Sequence, residues 1–169
     1  MRGKIFNTQE VRAIIAGRKT MFREVAKPPR HEFLTDDCVL KGQIVPSKKV
    51  KGFQVYFQEP KNKWFAEDKP TGIIVKSKLE VGQEIFVKGQ ESSITLRITS
   101  VKVERLRDIS NDDAIAEAPQ YRVIDPFGNA TPIDLFKILW NYTHKKPEEK
   151  WEVDPWVFVY EFEVINFKK

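Results

Sequence analysis

The chain predicts an α+β protein built on a small, bent, mainly antiparallel β-barrel with about three flanking helices. Two patterns carry that expectation. Short alternating β-branched runs recur along the chain, and one changes phase midway: Ile94, Leu96 and Ile98 share one face, then Val101 and Val103 carry the opposite parity. Such a phase change implies a bulge or sharp bend, which a small barrel needs at its corners. The second pattern is a set of three helix starts, each marked by a capping side chain.

The first helix begins at Asn7, with Glu10 three residues on to close a capping box. Val11, Ile14 and Ile15 fall at i, i+3 and i+4 and form one apolar stripe. Gly17 suits the left-handed position that ends a helix. The connection that follows gathers Arg18, Lys19, Thr20 and Arg23, a cationic cluster suited to an anionic or polar ligand. Arg18 and Lys19 would equally serve to offset the negative end of the helix dipole.

Strands are then expected at Val50 to Gln58, where Phe53, Val55 and Phe57 alternate with polar residues and Tyr56, at Gly72 to Lys76, and at Glu84 to Lys88. Ser110 caps a second helix, with Asp113 at N3 and Pro119 soon after Glu117. Thr131 caps a third, with Pro132 at N1, Asp134 at N3, and Ile133, Phe136, Leu139 and Trp140 as its apolar face. Trp156 to Ile165 is apolar on both faces at first, as a strand through the middle of a sheet would be, and Trp156 is expected in the core.

A length of 169 residues is expected to form one domain, 1–169, with a basic, aromatic-containing elaboration at about 27–80 that has too few apolar residues for a core of its own. The net charge of +5 is uneven, with 17 Lys and Arg against 9 acids in residues 1–80 and 12 against 15 in the remainder. That balance favours phosphate-bearing partners. Lys48, Lys49, Lys51, Lys61, Lys63 and Trp64 form a candidate nucleic-acid surface, although a solvated strand face has the same pattern. A lone Cys38 excludes an internal disulfide framework, and with His31 and His144 it has no metal-ligand spacing. No metal or cofactor is expected. No apolar run approaches the roughly 20 residues of a membrane span, so a cytoplasmic protein without a membrane partner is expected.

Three stretches resemble the ASCH domains of the PUA-like superfamily. Residues 11–20, VRAIIAGRKT, look like the family's N-terminal helix and its Gly-x-Lys-x-x-Thr-x-Arg signature. Residues 98–117 look like the central strand and capped helix of its phage and prophage branch, and Trp140 with residues 154–162 like that branch's closing strand. The resemblance implies binding of RNA or a modified nucleoside in a cleft between barrel and helices. It also brings in relatives that hydrolyse N4-acetylcytidine and others with ribonuclease activity.

In those amidohydrolases a lysine, a threonine three positions later and a glutamate near the end of the capped helix do the work. The lysine falls on Lys19 and the glutamate on Glu117, but the threonine position holds Phe22. Phenylalanine supplies no hydroxyl for attack. Thr20 lies two residues away, about 6 to 7 Å along an extended chain, too far for the same attack geometry. Gly82-Gln83 and Gly89 stand where many relatives carry polar or acidic groups. The resemblance therefore implies a cleft in which Lys19 and Glu117 bond the edge of a base, Phe22 stacks on it, and Arg18 and Arg23 hold phosphate, without catalysis. Three alternatives stay open: an N4-acetylcytidine amidohydrolase-like hydrolase or ribonuclease using Lys19, Glu117 and either Thr20 or another group, a phage protein-interaction module, and a Lys19 to Glu117 ion pair that only joins helix to barrel.

Overall fold

The computed structural model describes residues 2–26, 44–46, 53–55, 77–88, 93–118 and 130–168. They belong to two compact units, Met1–Val25 with Leu79–Lys169, and Ala26–Lys78. In the second unit β3 (Ile44–Pro46) pairs antiparallel with β4 (Phe53–Val55). The rest of the expected strand around β4, the expected strand at 72–76, and Lys48, Lys49, Lys51, Lys61, Lys63, Trp64, His31 and Cys38 lie outside the described residues.

The first unit holds β1 (Arg2–Ile5), α1 (Thr8–Ile15), β2 (Met21–Val25), β5 (Glu84–Lys88), β6 (Ser93–Arg105), α2 (Asn111–Glu117), α3 (Pro132–Thr143) and β7 (Trp156–Lys168). Its sheet runs β1-β5-β6-β7-β2, mixed because β1 lies parallel to β5 while every other pair is antiparallel. The sheet curls into a half-barrel. Its two edge strands meet through side chains, Lys4 Nζ of β1 lying 2.8 Å from Glu24 Oε1 of β2 and 3.9 Å above the Phe22 ring. The sequence pattern missed β1, whose four residues are too few to show a period, and placed Arg23 in a connection where the structure has strand β2.

The expected bend is present. β6 and β7 pair from Ser93↔Lys168 to Arg105↔Trp156, with register shifts between Thr95 and Leu96 and between Ile98 and Ser100. The second shift puts Ile98, Val101 and Val103 opposite Phe162, Tyr160 and Phe158, alternate residues of β7, so all three keep one face despite the change of parity. β7 is an inner strand, as its apolar run requires. Trp156, however, is only half-buried at its start, under the Arg105 guanidinium, while Val157 and Tyr160 are fully enclosed.

The two faces of the sheet are filled differently. Under α2 and α3, Met21, Val157 and Val159 pack with Leu106, Ile109, Ala114, Phe136, Trp140 and Trp151. On the other face Phe22 lies among Phe6, Tyr160 and Phe162, with ring centroids 5.0 to 6.0 Å away. The helix ends form as expected. Asn7 with Glu10 and Thr131 with Asp134 make capping boxes, and Ser110 accepts from the Asp113 N–H. No described helix is long and apolar enough to cross a membrane.

Candidate functional site

The site is built at the turn between α1 and β2. Gly17 has φ 67°, the Arg18 N–H donates to the Ala13 carbonyl at 2.8 Å, and the Gly17 N–H donates to that of Ile14 at 3.0 Å. These paired bonds are a Schellman closure, possible without strain because residue 17 has no Cβ. The reversal leaves Arg18 exposed and turns Lys19 inward, to 3% exposure. Thr20 is exposed at its side chain and tied at its backbone: its N–H donates to the Ala116 carbonyl and its carbonyl accepts from the Phe162 N–H.

Lys19 Nζ donates to the backbone carbonyl of Glu117 and lies 3.3 Å from Glu10 Oε1. The ammonium therefore sits at the negative C-terminal end of α2, not of the preceding helix. Its charge partner is Glu10, whose other oxygen accepts the Asn7 N–H at 2.9 Å. The ion pair that the sequence allowed between Lys19 and Glu117 is not the one that forms.

The Glu117 carboxylate turns to Arg23, accepting from its backbone N–H at 2.9 Å and from its guanidinium. The same guanidinium donates to Glu104 at 2.7 Å and Asp113 at 3.2 Å, and its side chain has no exposed surface. Burial works against its charge, but Glu117 and Glu104 outweigh that and hold the Arg23 proton above its ordinary value. Four acidic and basic side chains thus close on one another, and the charge expected to hold phosphate is already balanced by three carboxylates. Phe22, expected to stack on a ligand, is 3% exposed, with Lys4 over its ring.

Of the expected site residues, the structure brings together Lys19, Glu117 and Arg23, sets Phe22 in the aromatic cluster, and leaves Arg18 and Thr20 at the surface. Glu10, Glu104 and Asp113 complete the polar network, and sequence reasoning missed that role. One local signal existed, since Asp113 and Glu117 stand at i and i+4 on one face of α2 and two carboxylates so placed call for a cation.

No family model and no curated protein matches the chain. Solved structures similar to it include the following two. A protein from Enterococcus faecalis V583 of the DUF984 family aligns with TM-score 0.51 and 12% identity, over 100% of this chain and 84% of that one. An ASCH domain from Lactobacillus crispatus JV V101 aligns with TM-score 0.50 and 13% identity, over 99% and 80%. The protein has an ASCH-like fold.

Proposed function

We propose that the protein binds RNA or a modified nucleoside at the turn around Lys19, without catalysis, as a phage- or prophage-type ASCH protein. The ASCH-like fold supports a ligand of that class. One observation carries the non-catalytic part: the position where hydrolytic relatives would place a threonine hydroxyl is Phe22, its ring buried among Phe6, Tyr160 and Phe162. Lys19 is the contact for a base edge, and exposed Arg18 the contact for phosphate. Arg23 and Glu117 hold the floor of the site instead of touching ligand.

Lys19→Ala is expected to weaken binding of a short single-stranded RNA at least about tenfold, with affinity falling steeply as salt rises. Unchanged binding removes Lys19 from the site. Catalysis is tested by following cytidine release from N4-acetylcytidine. Wild-type turnover overturns the non-catalytic reading and directs attention to Thr20, the one hydroxyl on this turn. Turnover confined to Phe22→Thr supports it, because the pocket then lacks only its nucleophile.

A further inference from the structure

We propose that Glu10 sets the ligand charge that the Lys19 site accepts, admitting an uncharged carbonyl such as a nucleobase oxygen and rejecting phosphate. The inference deepens the reading of Lys19 as a base-edge contact and rests on it.

An ammonium has three N–H donors. Among the described residues the Lys19 group has two polar partners, the Glu117 carbonyl and Glu10 Oε1. One donor is left for a ligand, while the charge is already neutralised. A buried cation needs such a partner, since an isolated one costs far more than a surface charge.

Glu10 cannot swing aside freely, because its second oxygen accepts the Asn7 N–H that starts α1. Displacing it would uncap the helix and leave the Glu10 charge facing the incoming group. The Glu10 side chain is 23% exposed against 2% for Lys19, so the solvent side of the pair is carboxylate. A phosphate approaching from there meets like charge before it meets the ammonium. A carbonyl oxygen takes the remaining donor without separating any charges. The rejection of anions is thus a property of a helix cap that doubles as an internal counter-ion.

The test uses Glu10→Gln, which keeps an amide oxygen for the Asn7 N–H, as capping boxes with Gln do. In ³¹P NMR, inorganic phosphate is titrated into wild-type and Glu10→Gln protein at constant ionic strength. The variant is expected to gain phosphate affinity about tenfold or more, as removal of a close like charge in a partly desolvated site should give; the double variant Glu10→Gln with Lys19→Ala should lose that gain. No gain in the single variant, or a gain that survives loss of Lys19, overturns the role of Glu10. Amide NMR titration with cytidine separates that failure from failure of the site itself. Lys19-dependent cytidine binding in the wild type, unaffected by phosphate, supports the proposal. Cytidine binding indifferent to Lys19→Ala overturns the reading of the site and the inference with it.

Discussion

Arg23 and Lys102 stand in one row across the sheet, both opposite Val159 of β7, and so point to the same face, yet Arg23 has no exposed side-chain surface and Lys102 has 53%. The difference is cover. Residues of α2 and α3 pack over Met21, Val157 and Val159, whereas Lys102 and Arg97 of β6 lie open to water. Under the helices one cation is shared by Glu104, Asp113 and Glu117; in the open, Lys102 pairs with Glu161 at 2.7 Å, and Arg97 reaches Glu84 and Glu163 at 3.2 and 3.5 Å. Charge sign and face are alike, so the energetic weight of each charge follows in large part from whether water can replace its partner.

The contrast is broken most severely at its buried end. Arg23→Met removes the cation that is ion-paired with three carboxylates, and losing one partner of a buried network costs about 3 to 5 kcal/mol. Urea denaturation should show that loss as a lower midpoint with an unchanged slope. A loss below about 1 kcal/mol would mean that water reaches the carboxylates, and the supposed difference between the two ends of the row would vanish. Asp113→Asn tests the middle of the range. Its side chain is 29% exposed and its closest approach to the Arg23 guanidinium, 3.2 Å, is longer than those of Glu104 and Glu117, at 2.7 and 2.5 Å, so solvent screening should hold the cost to about 1 kcal/mol.

The contrast also marks what the amino-acid pattern could reveal. The caps at Asn7, Ser110 and Thr131, the turn at Gly17 and the bend near Ile98 were legible because each depends on residues a few positions apart. The network was not. Glu10 and Asp113 read locally as capping residues and Glu104 carries no local signal of its own, but their role in the network depends on chain segments brought together from 9 to 90 positions away. Arg23 misled for a related reason, since a charged residue at an inward strand position breaks the alternation by which a strand is recognised. Lys19 was found as a candidate from its turn, while its partner was set by where the ends of α1 and α2 meet, which periodicity does not encode.

The exposed end of the row should yield the smallest effect and the clearest dependence on conditions. A double-mutant cycle on Lys102→Ala and Glu161→Ala should give a coupling below about 1 kcal/mol, shrinking as salt is added. The hydrogen bond to Glu161 is the main reason the Lys102 ammonium is held above the ordinary lysine range. Because its folded value is raised, the folded state binds this proton more tightly. The contribution is then complete below the unfolded lysine value of about 10.4 and is lost as pH climbs through the raised one. Coupling measured at neutral pH should therefore vanish in strong alkali, while the penalty of Arg23→Met persists, since a guanidinium held above its ordinary value keeps its proton there. Loss of the Arg23→Met penalty over the same alkaline range would show that the carboxylates do not hold the guanidinium proton in place.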